Sequence, residues 1–288
     1  MRDNVAPMSD PTYVDLRRVT RLEASAKAIE DMGAPGGQGI ERVTASPPGE
    51  GFLFGGLTMA VGLRAAAQTV GDRLQPKSLH AQFFRPGLWG PALDLDVVRV
   101  NDSRSFAVRR VALVQGGKTL AEMVVGFHVP EEGDDRQHAV PPAVPPPPAL
   151  EQDRTRLAMP GIMEVRPVTP FRPQLREVVH PYWVRFPGGE DHDALDRLVA
   201  VTFASDYMVI TTPFPRGSAE GARFTSLTLS HTLFFHRPPC SEWLLLSADP
   251  LSVSGGRFTS RGAVHDEEGT LAASFVQEGI LRPAPTER

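Results

Sequence analysis

Apolar positions recur at helical spacing in two stretches of the chain, and each stretch is followed by segments in which apolar and polar positions alternate. The first, FLFGGLTMAVGLRAAAQTV at 52–70, carries the pair Gly55-Gly56, read as a tight turn before a run of helix formers. Ala60, Gly62, Ala65, Ala66 and Ala67 make this helix thin and apolar, with Arg64 and Gln68 as its one polar stripe. A helix apolar nearly all round must be buried nearly all round, and small side chains let a neighbouring backbone come close. The second, DALDRLVAVTFASDYMVI at 193–210, has Leu195, Leu198, Val199 and Thr202 at helical spacing. Strands are predicted at 78–84, 92–101, 104–115 and 119–129, and again at 225–236, 242–252, 257–266 and 270–282. Turn signals such as NDS, GG and DEEG separate many of them. One helix and then several antiparallel strands, twice over, predicts an α+β fold in which a sheet curls around each thin helix.

The two halves also share wording. SLHAQFFRP at 78–86 is echoed by SHTLFFHRP at 230–238. Pro86 and Pro238, Phe106 and Phe258, Arg109 and Arg261, and Gly117 and Gly269 all stand at one common offset, which predicts an internal duplication. Between the halves lies PEEGDDRQHAVPPAVPPPPAL, where proline is too dense for a helix or a sheet ladder and favours a stiff, extended, solvated spacer. The expected organisation is therefore an N-terminal unit at 1–129, a proline-rich linker at 130–150 and a C-terminal unit at 151–288.

Composition narrows the function. The 288 residues are 41% hydrophobic and 22% charged, ordinary for a globular protein with a large core or two smaller ones. No run of apolar residues is long enough to span a membrane. The N-terminal MRDNVAPMSDPTYVD has no apolar core of a signal peptide, and PAPTER at the other end is no lipidation or peroxisomal address. Cys240 is the only cysteine, so neither an internal disulfide nor a thiolate metal cage is expected, and a cytoplasmic location fits. A formal net charge of −4 argues against a general nucleic-acid partner, although local arginines can still hold phosphates.

FLFGGLTMAVGLRAAAQTV with SLHAQFFRPG and SRSFAVRRVALVQGGKTLAEM resembles the N-terminal half of the type II acyl-CoA thioesterases, and ASDYMVI, SLTLSHTLFFHRP and GTLAASFVQEGILR resemble the C-terminal half. The resemblance implies two fused hotdog folds, each an antiparallel sheet wrapped around a central helix. It also implies hydrolysis of acyl-CoA to fatty acid and coenzyme A by direct attack of water, with coenzyme A as part of the substrate and no separate cofactor or metal. Carried over onto matching positions, the catalytic groups are Asp206 of the SD pair, Thr228 three residues before His231, and Gln277 of QEG. The carboxylate would take a proton, and the hydroxyl and amide would hold the water. A helix N-terminus is the natural source of an oxyanion donor. The chain departs from the family pattern at Leu57, Ser230 and Phe234-Phe235, where glutamine, an acidic residue and a tryptophan-containing pair are usual. Family members pair sheet edges with another copy, so a homodimer or higher homo-oligomer is expected.

Other signals are weaker. His231 and His236, five apart on a strand, should face opposite sides and make poor co-ligands for a metal, and His80 reads as structural. No G-x-S-x-G elbow is present, and GGQG and GGLTMAVG lack the spacing and lysine of a phosphate loop. Arg85, Arg104, Arg109, Arg257 and Arg261 could reach coenzyme A phosphates, but each is more simply solvated or structural. Two rival readings are a double-hotdog enoyl-CoA hydratase, which would want an Asp–His pair, and a non-catalytic acyl-ligand binder.

Overall fold

The computed structural model describes residues 14–24, 40–46, 51–153, 161–169, 179–188, 191–214 and 223–284; the chain termini and GGQG lie outside them. Three α-helices and twelve strands are described. The short helix α1 (Leu16–Val19) and strands β1 (Leu22–Ala24) and β2 (Ile40–Ala45) precede α2 (Gly55–Ala67). Strands β3 (Gln75–Phe83), β4 (Leu93–Asp102), β5 (Phe106–Gln115) and β6 (Lys118–His128) complete the first half. The second half repeats the order with β7 (Glu164–Pro167), β8 (Tyr182–Arg185), α3 (Ala194–Ser205), β9 (Phe224–Phe235), β10 (Trp243–Ser254), β11 (Arg257–Asp266) and β12 (Leu271–Pro283). Eight of these strands fall where the alternation places them; the short strands ahead of each long helix carry too few residues to show a period.

All twelve strands join one antiparallel sheet in the order β1-β2-β4-β5-β6-β3-β9-β12-β11-β10-β8-β7. The order reads as a palindrome about the β3–β9 seam, so the two hotdog sheets are continuous. Helix α2 packs on β3 to β6, α3 on β9 to β12, and the helices pack on each other. Arg64, the expected polar stripe of α2, reaches across to Asp196 at the start of α3 at 2.7 Å. The helices therefore run antiparallel, and a single apolar core spans both halves. Among the described residues, no helix is long and apolar enough to cross a membrane.

The duplication is visible in bonding as well as in sequence. Phe84 and Arg85 donate their backbone N–H groups to the Leu120 carbonyl, and His236 and Arg237 donate theirs to the Ala272 carbonyl, each group standing where its counterpart stands in the other half. Gly117 and Gly269 both occupy hairpin turns with positive φ, 75° and 80°, where a side chain would be strained.

Two of the four sequence landmarks need correction. Against its neighbour, β11 sits one residue out of register with β5: Phe106 pairs with His128, but Phe258 pairs with Gly279, the counterpart of Phe127. A one-residue slip turns a side chain to the other face. Phe106 is accordingly 45% exposed and Phe258 buried, while Arg109 is buried and Arg261 exposed. The true counterpart of Arg261 is Arg110.

The proline-rich segment joins no helix or strand over 130–140 and is exposed there, yet it does not stand free of the second half. Gln137 bonds the Gly269 carbonyl and the Leu271 N–H, and the Trp183 indole donates to the Pro145 carbonyl at 3.0 Å. Val144 and Leu150 pack on Trp183, Trp243 and Leu245. Proline's lack of donors excludes it from the ladder, but its carbonyls and rings still serve a side-chain surface.

Candidate active site

Helix α3 is capped at its start by Asp193, whose carboxylate accepts from the Asp196 N–H, and ends at Ser205. Asp206 caps it, and Met208, in the left-handed region at φ 58°, turns the chain away. The helical pattern read through to residue 210 thus ends five residues earlier. Because the helices are antiparallel, Asp206 meets the first turn of α2, where the Gly56 N–H donates to its carboxylate. Phe54 offers α2 no side-chain cap, so a carboxylate from the other half supplies one.

This contact explains the glycine pair, and not as a turn: neither Gly55 nor Gly56 has positive φ. A Cβ on Gly55 would lie 2.6 Å from Asp206 Oδ2, and one on Gly56 would lie 2.2 Å from the Phe203 carbonyl oxygen. The glycines allow the approach of α3.

The three residues carried over from the family pattern come together. Thr228 Oγ1 donates to Asp206 Oδ1 at 3.2 Å, and the Gln277 amide donates to Thr228 Oγ1 at 3.0 Å. Gln277 is fully buried on β12 behind Thr228. Its Oε1 lies 2.9 Å from His231 Nδ1, and His231 Nε2 lies 3.1 Å from Ser205 Oγ. Thr228 and His231, three apart, would face opposite sides of a regular strand. The pairing of β9 with β12 skips Leu229, and that bulge returns both side chains to the inner face. His231 and Ser205 were missed by sequence reasoning. The available signal was that His231 lies directly opposite Gln277, which only a register assignment could reveal.

Burial raises the Asp206 carboxyl to about 7, against opposing bonds from Thr228 and the Gly56 N–H. Burial pulls the His231 ring down to about 4, partly offset by its bond to Gln277. The histidine is therefore neutral at physiological pH, while the aspartate is poised to gain or lose a proton there.

A cavity of about 660 Å³ opens between the halves against Asp206 and Thr228. Phe54, Phe83, Leu120, Met208, Ile210 and Leu229 form much of its apolar wall, and the exposed side chains of Phe52, Phe84 and Leu227 also border it. Gln277 is not part of the wall, and none of the departures at Leu57, Ser230, Phe234 and Phe235 lines it. Of the arginines, Arg85 lines the cavity, with its guanidinium on the Thr119 carbonyl. Arg109 is buried on Thr69 and Asp102, and Arg257 pairs with Glu278. His80 sits on the outer face, bonded to Thr232, and His236 bonds Ser274.

Residues 44–128 match the acyl-CoA thioesterase N-terminal domain family, and residues 131–281 match the acyl-CoA thioesterase C-terminal domain family. The chain is 29% identical over 262 residues to human acyl-coenzyme A thioesterase 8, covering 81% of each chain. It is 25% identical to acyl-CoA thioesterase 2 of Haemophilus influenzae, covering 80% of this chain and 87% of that one. The crystal structure of an acyl-CoA thioesterase II from Mycobacterium marinum shares the fold, with a TM-score of 0.73 at 24% identity over 95% of this chain and 99% of that one.

Proposed function

The chain belongs to the acyl-CoA thioesterase family, and on that premise we propose that it hydrolyses acyl-CoA by direct attack of a water held at Asp206 and Thr228. It is a thioester hydrolase, releasing a carboxylic acid and coenzyme A. The observation that carries the mechanism is the bonded run Asp206–Thr228–Gln277, its first two members in the wall of an apolar cavity.

In this reading the acyl chain lies along the apolar wall, and the thioester carbonyl rests beside the first turn of α2. The N–H groups of that turn, at Gly55 in the cavity wall, stabilise the developing oxyanion. Asp206 accepts the proton of the attacking water and passes it to the coenzyme A sulfur as the C–S bond breaks, and a carboxyl held near 7 suits both transfers at neutral pH. The Thr228 hydroxyl orients the water. Gln277 stands behind that hydroxyl, so its grip on the water runs through Thr228. The reaction needs no cofactor, because water is the nucleophile. The reacting groups all come from the C-terminal unit at 151–288, and the N-terminal unit contributes the end of α2 and part of the cavity wall. A hydratase would want an Asp–His pair, but both nitrogens of His231 are taken by Gln277 and Ser205.

A cytoplasmic location and at least a homodimer belong to the same reading. The lone Cys240 and the outermost strands β1 and β7 support them, and size-exclusion chromatography checks the second. The enzyme proposal is tested by thiol release from short, medium and long acyl-CoA. Turnover lowered by about 10²- to 10⁴-fold in Asp206→Asn is the expected result. No release by the wild-type protein from any chain length refutes the proposal.

A further inference from the structure

The mechanism gives no role to the buried histidine bonded to Gln277. His231 is fully buried, stacked on Phe275 with ring centroids 5.2 Å apart, and it touches neither the cavity nor Asp206. Its two nitrogens extend the active-site run to Asp206–Thr228–Gln277–His231–Ser205. The run closes on itself, because Ser205 immediately precedes Asp206 at the end of α3.

Donor chemistry gives this ring a direction. An ionised Asp206 only accepts, so the single Thr228 hydrogen must go to it. The Thr228 oxygen must then accept from Gln277, which turns the amide NH₂ toward Thr228 and Oε1 toward His231. An amide oxygen cannot donate, so His231 Nδ1 must carry hydrogen. In a neutral ring Nε2 is then bare, and the Ser205 hydroxyl must point at it instead of at the Thr202 carbonyl 2.9 Å away. Each assignment forces the next.

The fold itself does not ask for these groups. In the first half the positions equivalent to His231, Gln277 and Thr228 are Leu79, Val125 and Pro76, and Leu79 pairs with Val125 as His231 pairs with Gln277. Leu79 and Val125 are fully buried, and an apolar pair satisfies the same cross-strand site.

We propose that His231 is a positioning residue for thioester hydrolysis: as the Nδ1–H tautomer, held by Ser205, it fixes the Gln277 amide so that Thr228 can donate only to Asp206. Without that donor the amide is free to flip and present Oε1 to Thr228, which draws the hydroxyl hydrogen away from the carboxylate. The inference rests on the reading of Asp206 and Thr228 as the reacting pair.

Two substitutions separate positioning from packing. His231→Phe keeps an aromatic ring against Phe275 but removes the donor, whereas His231→Asn gives up the ring but places an amide N–H near the Nδ1 position. The expected result is that His231→Phe lowers kcat by about ten- to a hundredfold, the span that lost orienting bonds of this kind command, with KM nearly unchanged and kcat largely recovered in His231→Asn. The reverse order, with His231→Phe at the wild-type rate, overturns the proposal. Nitrogen-15 NMR of the wild-type protein at pH 8 provides a readout that needs neither variant to fold. A hydrogen on Nδ1 with a bare Nε2 is expected, and the opposite tautomer refutes the amide orientation. Failure of the hydrolase reading shows separately, as absence of thiol release by the wild type, and removes this inference with it.

Discussion

His80 and Thr232 face each other across the β3–β9 seam with Nδ1 and Oγ1 3.3 Å apart, and they are 152 positions apart in the chain, the offset of the internal repeat. A residue that pairs with its own repeat counterpart lies on the axis relating the halves. The pseudo-twofold therefore passes through the seam, and it brings the end of one helix to the start of the other at two places. At one, Arg64 meets Asp196; at the other, Asp206 meets Gly56. A symmetric frame thus holds one ion pair and one reactive carboxylate.

Asp206→Asn is expected to lower kcat by about 10²- to 10⁴-fold, the usual worth of positioned proton transfer. Thr228→Ala should fall in the same range. Because Gln277 acts through Thr228, adding Gln277→Ala to Thr228→Ala should cost little more than Thr228→Ala alone. Initial rates for the singles and the double check this, and fully additive losses would count against it.

The pH dependence of activity and the contribution of Asp206 to stability should run in opposite directions. If Asp206 must be ionised, kcat/KM rises with pH through about 7. Its folded carboxyl lies above the ordinary value of 3.8, so the folded state holds the extra proton between these values and stability falls as pH rises across that window, by roughly 4 kcal/mol in all at about 1.4 kcal/mol per pH unit. His231, lowered from 6.5 to about 4, contributes the opposite slope over most of the same range, because there the unfolded chain binds the proton. The two contributions offset in the wild type. Asp206→Asn removes the carboxyl's slope and leaves that of the histidine, so its stability relative to wild type should grow from about pH 4 to about pH 7, as chemical denaturation at each pH would show.

Gly55→Ala and Gly56→Ala should differ in kind. A methyl at Gly55 meets the Asp206 carboxylate, a movable group, so kcat should fall by about tenfold or more with stability lowered only modestly. A methyl at Gly56 meets the Phe203 carbonyl, which is backbone, so melting should fall with a cost of about 1–3 kcal/mol or more despite alanine's better helix propensity. Thermal melts beside initial rates separate the two.

Ile210→Trp puts bulk into the cavity from a partly buried position in its wall. Turnover of long acyl-CoA should fall by about tenfold relative to short acyl-CoA, because each methylene excluded from an apolar site is worth about 1 kcal/mol. An unchanged ratio of kcat/KM values would place the acyl chain elsewhere.

Alternation and helical period alone determined the α+β class, the eight long strands and the two buried helices, because these are local patterns repeated over many residues, and the shared wording at one offset gave the duplication. The resemblance added which polar residues to watch. Three matters waited for the tertiary structure. The β9 bulge decides that Thr228 and His231 share a face, and the register of β11 decides that Arg109 is buried and Arg261 exposed. The packing of α3 on α2 decides that Gly55 and Gly56 serve close approach, and that Asp206 loses enough water to hold its proton near neutrality. Register and desolvation depend on neighbours distant in sequence, and so no local pattern encodes them.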